Sequence, residues 1–231
     1  MKNRLFCQSY FTLDTFLFKE LFRDITSPWE ILPILKQRIT SLIESGINGY
    51  TLLSDGVLIG KEVKICDTAR IESPAIIGDG CEIRHGAYIR GSVILGSGCV
   101  VGNSSEIKNS ILFDGAQVPH FNYVGDSMLG KSVHLGAGAI CSNLRSDKKN
   151  VVIKGENLQI ETGLRKLGSI LGDGVEIGCG AVLNPGTVIG KNSTVYPLTL
   201  ARGIYPENVI VKNGNIIVKK LPTSLSPSEP T

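Results

Sequence analysis

The sequence lacks any apolar run long enough to cross a membrane. Its N-terminal apolar stretch is interrupted by Asp14, Lys19 and Glu20, so it reads neither as a signal peptide nor as a membrane span. The charges are nearly balanced, with 24 basic and 21 acidic residues, which argues against a nucleic-acid partner. We therefore expect a cytoplasmic protein with neither a membrane nor a nucleic-acid partner.

The cysteines also lack any pairing pattern. The six cysteines contain no CxxC pair and no His/Cys spacing suited to a metal, which argues against a zinc site and a disulfide framework. We expect reduced thiols and no metal. Aromatic residues are scarce at 6%, whereas the 27 glycines exceed average usage. Glycine spread through a chain favours many tight corners over a helical bundle.

An aliphatic residue recurs at every sixth position through the first half of the chain. A fixed six-residue step is typical of the hexapeptide form of a parallel β-helix, in which three units make one triangular coil of about 18 residues. The aliphatic side chains then point inward as columns, and successive coils stack about 4.7–4.9 Å apart. The positions are Leu53, Ile59, Ile65, Ile71, Ile77, Ile83, Ile89, Leu95, Val101 and Ile107.

The repeat is interrupted in three places. Its step shortens by one residue between Ile107 and Leu112, and again between Val124 and Leu129. Residues 142–170 then abandon it, and the stretch VVIKGENLQIETG within them predicts a pair of hairpin strands. A long loop inserted in a compact solenoid is typically functional, so we expect a role in ligand binding. The step resumes at Leu171.

The ends of the chain follow other patterns, which predict three regions: a helical appendage at 1–50, the β-helix at 51–205, and a hairpin with a disordered tail at 206–231. Ser27 and Glu30 form a capping-box pattern around Pro28, while Pro33 bends the following helix or moves its start. Asn213-Gly214 predicts the turn of the closing hairpin. A further helix is predicted from an apolar face of Leu13, Phe16, Leu17, Leu21 and Phe22.

Five sequence strings resemble one family. They are AYIR (87–90), SEIKNS (105–110), HFNYVGD (120–126), LGAGAICSN (135–143) and GLRKLGSILGDGVEIG (163–178). Together they resemble the acetyltransferase domain of the bifunctional UDP-N-acetylglucosamine pyrophosphorylase/glucosamine-1-phosphate acetyltransferase and of archaeal sugar-1-phosphate nucleotidylyl-/acetyltransferases. The resemblance covers about residues 55–205. It implies a left-handed β-helix, a homotrimer, and acetyl-CoA bound in the cleft between subunits.

The resemblance also implies roles for individual residues. His120 matches the catalytic base, and Ala137 and Cys179 match positions that line the acetyl-CoA site. His134 stands where the family usually has Asn, so it either substitutes in the substrate site or is structural. No GxGTR-type phosphate loop exists, so we do not expect nucleotidyl transfer. The residues that match substrate contacts are Arg90, Lys108, Tyr123 and Asn143.

The residues themselves support this chemistry. An amine attacks a thioester only as the free base, so a nearby imidazole such as that of His120 suits the role of removing its proton. Arg90 and Lys108 each follow an inward aliphatic residue one coil apart, so we expect them side by side as a dication for a phosphate. The alternative is that both cations are merely solvated. Lys148 and Lys149 in the loop add to this charge or bind the phosphates of coenzyme A.

The sequence therefore predicts an acetyl-CoA-dependent N-acetyltransferase acting on an amino-sugar phosphate, with glucosamine 1-phosphate as the expected acceptor. Two alternatives stay open. One is a non-catalytic sugar-nucleotide-binding or assembly module that partners a separate nucleotidyltransferase. The other is an acyltransferase with a different acceptor.

Overall fold

The computed structural model describes residues 5–220, and from Thr51 onward they form a parallel β-helix. Its strands are two to four residues long and stack into three flat faces. The predicted all-β solenoid of hexapeptide repeats is confirmed, and its left-handed winding is the one that the resemblance implies.

Each face is a stack of strands from successive coils. Face 1 consists of Thr51–Ser54, Val57–Ile59, Ala75–Ile77, Val93–Leu95, Ser110–Leu112, Met128–Leu129, Ser169–Leu171, Thr187–Ile189 and Ile204–Tyr205. Face 2 consists of Lys64–Ile65, Glu82–Ile83, Val100–Asn103, Gln117–His120, His134–Leu135, Glu176–Ile177, Thr194–Val195, Val209–Lys212 and Ile216–Lys219. Face 3 consists of Arg70–Ile71, Tyr88–Ile89, Glu106–Lys108, Tyr123–Gly125, Ile140–Cys141, Val182–Leu183 and Leu200–Ala201.

Strand pairing follows the predicted register from Ile59 onward, whereas Leu53, predicted to point inward, is 47% exposed on a strand that pairs antiparallel with Val57–Ile59. Ile83 pairs with Val101, 18 residues later, whereas Ile107 pairs with Val124, only 17 residues later. The shortened steps are therefore real features of the coils. Leu129 pairs directly with Leu171, because the intervening loop leaves the solenoid. Within that loop, Val152–Lys154 and Gln159–Glu161 pair as the predicted antiparallel hairpin.

The inward columns form an apolar core. Cys81 and Cys99 are fully buried there, as small apolar residues would be. Burial raises the pKa of the Cys99 thiol. Each fully buried aliphatic side chain contributes about 1.5–3 kcal/mol, so the columns supply the main stabilisation of the solenoid.

The N-terminal segment contains short helices. They are the α-helix Cys7–Tyr10, 3-10 helices at Lys19–Phe22 and Pro28–Ile34, and the α-helix Leu35–Ser45. The Glu30 carboxylate accepts a hydrogen bond from the backbone N–H of Ser27 at 3.0 Å, as the capping pattern predicts. The last α-helix starts just after Pro33, and it ends at Gly46, whose φ is +74°.

The predicted helix across Leu13–Phe22 is wrong. Leu17 is 58% exposed, whereas its neighbours Phe16 and Phe18 are both buried, which is an alternation and not a helical face. The Phe16 ring lies 4.3 Å from that of Phe113 on the solenoid, measured between centroids. Separate aromatic contacts with the solenoid therefore override the local helical pattern.

Face 1 is the covered face. The N-terminal segment and the inserted loop pack against its outward side chains in one apolar cluster. As a result, faces 2 and 3 carry the outward polar side chains of the solenoid. The buried outward residues of face 1 are Leu58, Ile76, Ile94, Ile111, Met128, Ile170 and Val188.

The solenoid closes with an antiparallel hairpin. Val209–Lys212 pairs with Ile216–Lys219 across the turn Asn213–Asn215, which confirms the predicted hairpin. The predicted disordered tail lies in residues 221–231, outside the described residues.

Candidate functional site

The corner between faces 2 and 3, here called corner 2–3, carries a column of stacked residues. The column includes His120, Ala137 and Cys179. The carbonyl of His120 accepts a hydrogen bond from the N–H of Gly138 at 2.9 Å. The carbonyl of Ala137 accepts one in the same way from Gly180 at 2.8 Å. The candidate base and the two candidate acetyl-CoA positions therefore lie on three successive coils of one corner.

Tight turns shape this corner. Phe121 turns the chain with a φ of +52°, a left-handed conformation that side chains rarely adopt, and its ring is 63% exposed. Leu198 does the same three coils further on, with a φ of +56° and 75% exposure. Corner 2–3 therefore carries projecting apolar side chains beside the imidazole.

A buried amide fixes the backbone around His120. The side-chain oxygen of Asn122 accepts a hydrogen bond from the His120 N–H at 3.0 Å. Its amide nitrogen donates to the carbonyls of Gly136 at 2.8 Å and Ala139 at 3.2 Å. Because it binds two successive coils, Asn122 holds the corner rigid. Sequence reasoning missed it, although its signal is a polar residue among aliphatic columns.

The imidazole of His120 is exposed at this corner. Within residues 5–220, neither ring nitrogen has a hydrogen-bond or ion-pair partner. Both nitrogens are therefore open to solvent or to a ligand, as a general base requires.

Arg90 and Lys108 lie on adjacent coils where the strands of face 3 end, as the sequence predicts. The backbone N–H of Arg90 donates to the carbonyl of Ile107 at 2.8 Å. Each cation, however, faces a carboxylate: Arg90 Nη1 lies 2.7 Å from Glu106 Oε1, and Lys108 Nζ lies 3.7 Å from Asp126 Oδ2. Glu106 raises the pKa of the Arg90 guanidinium. The predicted dication is thus compensated by two negative charges.

Asp126 organises the neighbouring polar groups. Its buried carboxylate accepts hydrogen bonds from the amide of Asn109 at 2.8 Å and from the amide of Asn143. Asn143 also donates to the hydroxyl of Tyr123 at 3.2 Å, and burial raises the pKa of that phenol. One network therefore links Lys108, Tyr123 and Asn143. Asp126 was missed at the sequence level.

Gly125 supplies the space that this network needs. A Cβ at this position would lie 2.5 Å from Asn143 Nδ2 and 2.6 Å from the Tyr123 hydroxyl. Any side chain there would push both polar groups out of their contact.

His120 and the two cations occupy opposite edges of face 3. His120 precedes the face-3 strand Tyr123–Gly125, whereas on the two coils before it Arg90 follows its strand and Lys108 ends its strand. Tyr123 lies between these edges. The structure thus places the predicted groups on one open side of the solenoid.

Three predicted site residues lie away from the Asp126 network. His134 is on face 2, where its Nδ1 lies 3.2 Å from Glu176 Oε2. Lys148 and Lys149 are exposed in the inserted loop, where the Lys149 N–H donates to Asp147 Oδ1 at 3.2 Å. Within the described part of the chain, none of the three contacts the Asp126 network.

The described residues 5–220 contain no group of three or more His, Cys, Asp or Glu side chains placed to hold a metal ion. None of their helices is both long enough and apolar enough to span a bilayer.

Residues 71–165 match a family model described as GMPPB C-terminal domain. The chain is also 33% identical over 180 residues to a bifunctional sugar-1-phosphate nucleotidylyltransferase/acetyltransferase from Sulfurisphaera tokodaii, which covers 75% of this chain and 44% of that protein. A bifunctional protein GlmU from Desulfitobacterium hafniense is 34% identical over 169 residues, covering 73% of this chain and 36% of that protein.

These relatives confirm the resemblance seen in the motifs. The chain spans less than half the length of either curated relative. Among solved structures, the acetyltransferase domain of PglB from Neisseria gonorrhoeae in complex with acetyl coenzyme A matches with a TM-score of 0.34 and 19% identity. That match covers 71% of this chain and 57% of the PglB chain.

Proposed function

We propose that the chain is an acetyl-CoA-dependent N-acetyltransferase whose acceptor is an amino-sugar phosphate, specifically glucosamine 1-phosphate. The observation that carries the proposal is corner 2–3, where the exposed His120 imidazole, which has no hydrogen-bond partner among residues 5–220, lies one coil from Ala137. The name of the Sulfurisphaera tokodaii relative, which combines sugar-1-phosphate and acetyl transfer, supports the substrate class.

In this proposal His120 acts as the general base. It removes a proton from the amine as the nitrogen attacks the thioester carbonyl of acetyl-CoA. Collapse of the tetrahedral intermediate breaks the C–S bond, and the departing thiolate takes up the proton to leave coenzyme A. Tyr123 and Asn143 orient the sugar, while Arg90 and Lys108 bind its phosphate.

Acetyl-CoA is assigned to corner 2–3. Ala137 and Cys179 line its path, since both are exposed and stacked below His120. The adenine-side phosphates are assigned to Lys148 and Lys149. His134 is kept as a substrate contact whose ring is oriented by Glu176.

A homotrimer completes the proposal. Ile140, Val182 and Leu200 align on face 3, and Ile140 and Leu200 are exposed large apolar residues. A second copy of the chain would cover them and bring its own groups to the cleft. Analytical ultracentrifugation of Leu200→Asp should then show a smaller species than the unmodified chain. A monomeric unmodified chain would contradict this part.

A cytoplasmic location belongs to the same proposal. All six cysteines are free, and Cys81 and Cys99 stack in the core without a disulfide, as in a reducing compartment.

A second candidate is an acyltransferase with another acceptor. It is favoured by Glu106 and Asp126, because they cancel the charges on Arg90 and Lys108 that a phosphate would need. A panel of amino sugars with and without phosphate separates the two candidates.

The test is release of coenzyme A thiol in the presence of amino-sugar phosphates. His120→Ala should lower kcat by about 10²–10⁴-fold, as expected for loss of a general base. His85→Ala is the matched control, because His85 lies in the same corner column two coils above and is hydrogen-bonded to Thr68. Equal activity in the His120 variant and the control would refute the mechanism.

A further inference from the structure

A cleft lies between the inserted loop and the last coils, separate from corner 2–3 and from the Asp126 network. Its volume is about 370 Å³. We call it the hairpin cleft, since Val152 of the hairpin forms one wall. Its polar lining includes Ser142, Arg145, Asn184 and Arg202.

Three of these residues occupy one register position on successive coils. The Ser142 N–H donates to the carbonyl of Leu183, and the Asn184 N–H donates to that of Ala201, both at 2.9 Å. Ser142, Asn184 and Arg202 therefore each follow a strand of face 3. This is the position that Arg90 and Lys108 occupy on earlier coils. The cleft thus continues the same edge of the solenoid.

The charges in the cleft differ from those around Lys108. Arg145 Nε and Nη2 donate to the two oxygens of Asp147 at 2.9 and 2.6 Å. The Arg145 guanidinium lowers the pKa of Asp147 to about 2, so this pair stays ionised and neutral overall at physiological pH. By contrast, the Arg202 side chain has no hydrogen-bond or ion-pair partner within residues 5–220.

The cleft therefore holds one uncompensated positive charge, flanked by the Asn184 amide and the Ser142 hydroxyl. Arg90 and Lys108 each lie opposite a carboxylate, so an incoming anion would have to compete for them. A guanidinium with free N–H groups in a polar recess suits a phosphate group.

We propose that the hairpin cleft is a phosphate-binding subsite with Arg202 as its cation and Asn184 and Ser142 as hydrogen-bond donors. The identity of the ligand rests on the proposed function, which offers two sources of phosphate. One is the phosphate of the acceptor sugar, which Arg202 would then bind in place of Arg90 and Lys108, and the other is a phosphate of coenzyme A, alongside those assigned to Lys148 and Lys149. Both present the same chemistry to the guanidinium.

Calorimetric titration of the full chain tests the proposal with two probes, glucosamine 1-phosphate and adenosine 3′,5′-bisphosphate. Arg202→Gln should lower the affinity for one of the two probes by about tenfold or more, which is the loss expected when a charge-assisted hydrogen bond is removed. Arg202→Lys should retain part of the affinity. Arg70→Gln is the matched control, because Arg70 is an exposed arginine of face 3 with Glu72 as its partner.

The probe that weakens identifies the source of the phosphate. Unchanged affinity for both probes in Arg202→Gln, an equal loss in Arg70→Gln, or no binding to the unmodified chain would overturn the subsite. Binding is measured without turnover, which keeps the two hypotheses separate. If acetyl transfer persists while Arg202→Gln binds normally, only the subsite fails. If phosphate binding depends on Arg202 but acetyl transfer is absent, only the enzymatic proposal fails.

Discussion

Faces 1 and 3 are built from the same hexapeptide units, yet their outer surfaces differ completely. In one coil, the outward residue of face 1 is Ile94, which is fully buried under the N-terminal segment. On face 3, by contrast, the outward residue Glu106 forms an ion pair with Arg90. The inward columns therefore build the scaffold, while the outward column decides what each face does.

This difference has a simple physical cause. Face-1 strands such as Ala75–Ile77 and Val93–Leu95 are apolar at three successive positions, so both of their sides must be buried. Strands of face 3 such as Tyr88–Ile89 have one apolar inward residue and a polar outward one. Covering face 1 leaves the polar groups of face 3 free for ligands.

The largest expected effect on stability comes from truncating a buried outward side chain of face 1. Ile94→Ala should lower the free energy of unfolding by about 2–5 kcal/mol, because it opens a cavity under the N-terminal segment. Val100→Ala changes the outward residue of the same coil on face 2, which is only partly buried, and should cost about 1 kcal/mol or less. Urea denaturation measures both. Equal losses would show that face 1 is no more covered than face 2.

A smaller effect is expected from the polar network of face 3. Asp126→Asn should cost about 2 kcal/mol, since its new amide would oppose the amide of Asn109 or Asn143. It should also weaken acceptor binding, because Asn143 loses the carboxylate that holds it beside Tyr123. Asp79→Asn is the control, because the exposed carboxylate of Asp79 accepts a hydrogen bond from the backbone N–H of Lys61. Identical behaviour of the two variants would remove Asp126 from the site.

The scaffold was predictable because a six-residue period maps directly onto inward columns. Even the shortened steps appear in the structure, as the pairing of Ile107 with Val124 shows. The N-terminal segment was less predictable. The Phe16 ring packs against that of Phe113 on the solenoid and against that of Phe18, and no local pattern encodes such a distant contact.

The site was predictable in position but not in charge. Sequence spacing places Arg90 beside Lys108, but it does not reveal that Glu106 and Asp126 would oppose them. Asp126 reaches Lys108 from the next coil, through a left-handed turn with a φ of +47°. The position of the Asp126 carboxylate depends on the backbone conformation of this turn, which the six-residue period alone does not determine.

The assignment of acetyl-CoA to corner 2–3 is tested most directly by thiol protection. Cys179 is exposed in the column below His120, and Cys66, which is partly exposed, lies before the same corner on an early coil. Alkylation by iodoacetamide, followed residue by residue by mass spectrometry, gives both rates in one sample. Saturating acetyl-CoA, whose sulfur is acylated and does not consume the reagent, should slow the modification of Cys179 at least several-fold and leave that of Cys66 unchanged. Equal rates for Cys179 with and without acetyl-CoA would contradict the placement of the cofactor at this corner.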